Sequence, residues 1–230
     1  MKKPVVSYKN FRLSKLNTPE FSHLKLLLSW IVYFIFYYLT ENFIPVEKCH
    51  PMHCWLDDVI PFNEFFFIPY TFWFVLIIIS LLYFLLYDVD SFKKLQTYII
   101  ITQIVAMTVY IVYPSRQDLR PDTFERDNFF THLAAFIYAF DTSTGVCPSL
   151  HVAYSMGMAS VWTKAKGVSK YWKAFVVFSA VIISAATMFV KQHSAVDVFA
   201  AIPVGLLAEF IVFRKVYKEK FKKGKALEKH

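Results

Sequence analysis

The sequence predicts an all-α fold, a polytopic membrane protein built as a six-transmembrane-helix bundle. Three observations lead there. Hydrophobic residues make up 57% of the chain and aromatic residues 19%, with 25 Phe and 14 Tyr, against about 45–50% apolar in a typical soluble domain. The apolar residues come in long runs rather than stripes, and about 20 such residues cross a hydrocarbon core of about 30 Å. The basic residues gather in alternate connections, as the inside loops of a membrane protein do.

The elements follow in order. Residues 1–23 are a basic lead in which Asn17, Thr18 and Pro19 are placed to open a short interfacial helix. Apolar runs lie at 24–44, 65–87, 98–113, 150–162, 172–190 and 196–216, the fourth being shorter and more polar. The first is read as a retained helix, because it is longer than a signal-peptide core and no small-residue cleavage site follows it. Residues 45–64 form an acidic loop with Glu47, Asp57, Asp58 and Glu64, and 88–94 form a short turn. The longest connection is 114–148. Within it, 127–140 has helical apolar spacing and is expected on the membrane surface or docked on the bundle. A basic loop (163–171), a very short turn (191–195) and a solvated basic tail (217–230) complete the chain. The domains are therefore the lead 1–23, the transmembrane domain 24–216 and the tail 217–230.

The net charge of +8 invites a nucleic-acid reading, which the distribution excludes. Of the 25 basic residues, all but Lys48, Arg116, Arg120, Arg126 and Lys191 fall on one side of a six-span arrangement. The positive-inside rule then makes both termini cytoplasmic, with the basic tail facing anionic headgroups. No nucleic acid is expected as a partner, and no oligomeric state is assigned. Cys49 and Cys54 flank a short loop with His50 and His53. Both zinc-ligand types are present, but the spacing matches no established zinc pattern, and a short disulfide or two free thiols are the alternatives.

Polar residues at the ends of membrane helices are costly unless they face a cavity, so they are candidates for function. Three clusters qualify, and all fall on the side opposite the basic loops. Arg116 and Arg120 follow the third span, four residues apart. Guanidinium forks match phosphate oxygens, and the alternative is a pair of solvated arginines. The second cluster, Cys147-Pro148-Ser149-Leu150-His151, opens the fourth span. Its free backbone N–H groups suit a phosphate oxygen, and His151, one turn in, suits a proton donor. The third, Lys191-Gln192-His193-Ser194-Ala195-Val196-Asp197, joins the last two spans. His193 and Asp197 share a helix face if the helix starts near His193. A carboxylate there holds the imidazole in one tautomer, and the alternative is a structural helix cap. Lys191 is a further candidate phosphate ligand. No cofactor is expected, and no metal ligand set is found.

In order and spacing these motifs resemble those of the type 2 phosphatidic acid phosphatase superfamily: Arg120-Pro121, then Pro148-Ser149-Leu150-His151, then His193 and Asp197. The resemblance covers 113–197 and implies a six-helix bundle acting on a lipid phosphate ester at the non-cytoplasmic face. It implies His193 as the phosphoryl-accepting nucleophile, His151 as general acid and Asp197 as the orienter of His193. Arg120 and the Ser149–Leu150 region become phosphate ligands. The chain departs from the family pattern at Tyr113, where Lys is usual, at Leu150, where Gly is usual, and at Thr187, where Arg is usual. Arg116 and Lys191 are the expected substitutes. These departures make it similar to the headgroup-transferring branch, which includes sphingomyelin and inositol phosphorylceramide synthases. The expected activity is lipid phosphatase, with headgroup phosphotransferase as the alternative and a non-catalytic scaffold or transporter as the second.

Overall fold

A helix bathed in lipid has to be apolar on its outer face, whereas a helix enclosed by others is free to be short and polar. The computed structural model describes residues 4–227, with side chains as far as Arg214, and its helices divide along this line. In chain order they are α1 (Leu28–Phe43), α2 (Trp55–Val59), α3 (Phe67–Tyr87), α4 (Val89–Val112), α5 (Phe129–Phe140), α6 (Leu150–Lys164), α7 (Lys170–Phe189) and α8 (Ala195–Leu227). Among the described residues, five segments are long and apolar enough to cross a membrane: Ser22–Phe43, Glu64–Tyr87, Val89–Val112, Lys170–Phe189 and Ala195–Arg214.

The expected fourth span is α6, which does not belong to that set. It has 15 residues, about 22 Å at the α-helical rise. It packs against α3, α4, α7 and α8, so its polar Ser155 is buried. Close approach makes this possible. The Tyr98 ring of α4 lies where a Cβ on Gly157 would come within 2.5 Å of it. Its hydroxyl goes on to donate to the Gly205 carbonyl of α8 at 2.8 Å. On the far side, Trp162 Nε1 of α6 donates to Ser80 Oγ of α3 at 2.9 Å.

Several boundaries shift from expectation. The turn expected at 88–94 contracts to Asp88, whose carboxylate accepts from the Ser91 amide and hydroxyl and so starts α4 at Val89. Lys93 and Lys94 therefore lie on α4. Thr18 closes a turn onto the Lys15 carbonyl rather than opening a helix, and a 3-10 segment, Ser22–Leu27, leads into α1. The tail continues α8 as far as Leu227, while Lys2, Lys3 and Lys229 lie outside the described residues. The helix expected within 127–140 is α5, started by an Asn128 cap that accepts from the amides of Phe130 and Thr131.

Alternation of the helices brings the 113–121, 141–149 and 190–197 segments to one end of the bundle. Residues of the lead lie at the other, where Tyr8 donates to the Leu85 carbonyl near the end of α3. At the first end the short strands β1 (His50–Pro51) and β2 (Ser115–Arg116) pair in parallel, His50 opposite Ser115 and Pro51 opposite Arg116. Arg116 also bridges antiparallel to Thr144. The loops that carry the candidate residues are thus tied to each other.

Candidate active site

The corner between α7 and α8 is built by two helix caps in immediate succession. At the end of α7, the Lys191 amide donates to the Met188 carbonyl, and the Gln192 amide to the Thr187 carbonyl. This is the paired closure of a Schellman motif, whose left-handed position is usually Gly. Here that position is Lys191, with φ of 51°. At the start of α8, Ser194 Oγ accepts from the Val196 amide while Asp197 Oδ2 accepts from the Ser194 amide at 2.9 Å. Ser194 thus caps the N2 amide of α8, and Asp197 reaches back to the cap residue's own amide. His193 sits between the two caps, ahead of α8 rather than on it.

Asp197 Oδ2 lies 3.3 Å from His193 Nδ1 as well. One carboxylate thus makes both contacts, to the helix start and to the imidazole. A proton on Nδ1 shared with Asp197 leaves Nε2 bare. Asp197 is fully buried. Its neighbour Cys147 has its thiol pushed up to about 12, first by burial and then by the Asp197 charge.

His151 reaches the same place from α6. Its ring stacks on Tyr70 at 4.7 Å and tilts against Trp73 at 4.4 Å, both on α3. The rings of His151 and His193 are 5.6 Å apart between centroids, edge to face. His151 Nε2 has no hydrogen-bond partner. Both histidines line a cavity of about 1080 Å³ enclosed by α1, α3, α5, α6 and the 141–146 segment. The exposed Phe34, Phe74 and Phe140 lie on its edge, so it opens through the apolar flank of the bundle.

The expected phosphate ligands are placed differently from one another. Leu150 lines the cavity. Ser149 is buried behind it, with its amide donating to the Asp197 carbonyl at 3.1 Å. Arg116 is held away from the cavity. Its Nε pairs with the Asp118 carboxylate at 3.0 Å, and Nη1 donates to the carbonyls of Val46 and Cys49. Lys191 Nζ donates to the carbonyls of Asp57 and Ile60 at 2.9 and 2.6 Å. Burial lowers its pKa from the ordinary lysine value, against the pull of Asp57 and Asp58. Arg120 reaches Gln192, the residue before His193. Nη1 donates to the carbonyls of Tyr138 and Asp141, and Nη2 to the Thr142 carbonyl and, at 2.6 Å, to Gln192 Oε1. Its guanidinium lies 4.6 Å over the Tyr138 ring.

Sequence reasoning missed Asp57. From the short α2 it accepts from Ser194 Oγ at 2.5 Å, the Ala195 amide at 2.8 Å and the Cys54 amide at 2.8 Å. It is a second carboxylate at the start of α8, where the helix dipole favours negative charge. Burial raises its pKa, but the hydrogen bonds from Ser194, Ala195 and Cys54 outweigh that and leave it below the usual value. Its place in an acidic loop was visible in the sequence; nothing local linked it to Ser194. Also missed were Glu41 and Asp141 on the cavity wall. Glu41 accepts from the hydroxyls of Thr142 and Thr144, and Asp141 accepts from Tyr37 at 2.9 Å.

Cys49, Cys54 and Cys147 are free thiols. Among the described residues no cluster of three or more His, Cys, Asp or Glu is arranged to hold a metal ion. Comparison with protein-family models, with curated proteins and with solved structures finds no match.

Proposed function

We propose that this chain is an integral-membrane lipid phosphatase of the type 2 phosphatidic acid phosphatase superfamily. The observation that carries the proposal is the meeting of His151 and His193, ring to ring at 5.6 Å, on the wall of one cavity, with His193 Nδ1 on a buried carboxylate. The cavity's opening through apolar helices suits a substrate with hydrocarbon chains.

In this reading the bare Nε2 of His193 attacks phosphorus. A P–N bond forms as the P–O bond to the lipid breaks, and His151, protonated as the phosphate anion binds beside it, gives its proton to the departing oxygen. Asp197 stabilises the positive charge that develops on the His193 ring. Water then attacks the phosphohistidine, His151 takes the water proton, and the P–N bond breaks to release phosphate. The Leu150 region stands at the phosphate, with Arg120 bonded to Gln192 on the same cavity wall. The bundle then uses α6 as an enclosed fourth span, with both termini cytoplasmic and the cavity at the non-cytoplasmic end, as the distribution of basic residues suggests.

A headgroup transfer is the second reading, and one observation on the cavity favours it. Glu41 and Asp141 on its wall are acceptors suited to the hydroxyl of a second lipid. Purified protein in detergent, given labelled phosphatidate, polyprenyl pyrophosphate and phosphatidylglycerol phosphate, separates the readings. Free phosphate indicates hydrolysis, and a new labelled lipid indicates transfer. Wild-type turnover in His193→Ala and in His151→Ala would reject both, and no turnover of any lipid points to a non-catalytic role.

A further inference from the structure

Gln192 immediately precedes His193, is 3% exposed and lines the same cavity. Its amide has one oxygen, an acceptor, and one nitrogen, a donor. Arg120 carries only donors, so its contact at 2.6 Å fixes the amide with Oε1 toward the guanidinium. Nε2 is then the free end, and it has no hydrogen-bond partner. A buried donor left unsatisfied is expensive, and native interiors retain such groups chiefly where a ligand, an ion or water completes them. Arg120 is engaged through both Nη atoms by the carbonyls of Tyr138, Asp141 and Thr142; its Nε also lacks a partner, but Arg120, unlike Gln192, does not line the cavity.

We infer that Gln192 Nε2 is a phosphate-oxygen donor of the site, and that Arg120 is a positioning residue acting through it. The inference rests on the phosphoryl-transfer reading above and deepens it. The guanidinium locks the amide and polarises it, so Nε2–H is a stronger donor than a free amide. The charge of Arg120 reaches the substrate through this bond rather than by direct contact. The site thus offers an anion a neutral, preoriented donor next to the attacking imidazole, where charge develops in the transition state.

The decisive variant is Gln192→Glu. It keeps an acceptor for Arg120, so a residue whose only task is to tether that arginine tolerates it. A donor to phosphate does not, because the N–H is lost and a negative charge takes its place. The probe is orthovanadate, a phosphate-like oxyanion, titrated calorimetrically into the full chain in detergent. Expected are a Kd raised about 10-fold in Gln192→Leu, in line with loss of one hydrogen bond to a charged group, and a larger rise in Gln192→Glu. The melting temperature of Gln192→Glu is expected at or above that of the wild type. Wild-type vanadate affinity in Gln192→Glu overturns the inference, and so does a wild-type protein that fails to bind vanadate. Loss of phosphatidate turnover in His193→Ala reads the reaction itself, so the two failures are told apart.

Discussion

Two polar segments at the same end of the bundle look alike in sequence and differ in what they do. The 190–197 corner and the 113–121 loop each follow an apolar helix, and each carries Lys or Arg beside the candidate site, Lys191 in the first and Arg116 and Arg120 in the second. In the corner, two helix caps fix nearly every backbone group. His193 and Gln192 are left on the cavity wall while Asp197 serves both cap and imidazole. In the loop, the backbone runs into short β pairings and leaves carbonyls of neighbouring segments short of donors. Arg116 supplies them, and Arg120 does the same for the end of α5. A guanidinium has five N–H donors in a fixed fork, so it ties several carbonyls at once. The difference teaches that cationic spacing beside a site does not identify phosphate ligands; the supply of unsatisfied carbonyls decides where the cations go.

The comparison breaks if the two segments respond alike to substitution. The largest effect is expected for His193→Ala, with turnover of the responsive lipid down at least about 1000-fold. His151→Ala follows, at about 100-fold or more, as for loss of a general acid. Both should leave the melting temperature near that of the wild type, measured in the same detergent.

Asp57→Ala probes the support of the corner. It strips the partner from Ser194 Oγ and from the amides of Ala195 and Cys54, and a loss on the order of 3 kcal/mol of stability is expected. Because the folded carboxyl lies below its ordinary pKa, its contribution is present above an unfolded value of about 3.9. It fades as pH falls through the lower folded value. Melting followed from pH 6 to pH 3, a window of about three units around that value, should therefore be flatter in Asp57→Ala than in the wild type.

The arginines sharpen the contrast. Arg120→Ala should lower turnover about 10-fold by freeing the Gln192 amide, whereas Arg116→Ala should change it by less than about twofold while lowering the melting temperature. The smallest effect belongs to Lys191→Gly. It relieves a left-handed residue by about 1 kcal/mol but removes the tether to the carbonyls of Asp57 and Ile60. Turnover close to wild type would exclude Lys191 as a phosphate ligand.

The sequence made the helical class plain, since runs such as 65–87 and 172–190 have no other economical use than a bilayer. The His193–Asp197 pair was legible for a local reason: four residues of separation at a helix start brings side chains together whatever the rest of the chain does. His151 was legible as a polar residue at a helix entrance. The enclosure of α6 was not, because shortness and polarity are what a central helix and a failed span have in common. The surroundings of Asp57, Gln192, Arg116 and Lys191 depend on contacts across 70 to 138 residues of chain, and no local pattern encodes those.

The bond from Asp57 to the Ala195 amide joins positions 138 residues apart, and this has a bearing on biogenesis. During vectorial synthesis, α2 and its carboxylate emerge long before the final hairpin exists. A nascent polypeptide that has reached the 163–171 loop holds His151 but lacks His193, so under the proposed mechanism a half-inserted bundle is inert toward the bilayer around it. Assembly of the α7–α8 corner then coincides with arrival of the last helix. A chain severed in the 163–171 loop should regain function only when both fragments share one membrane.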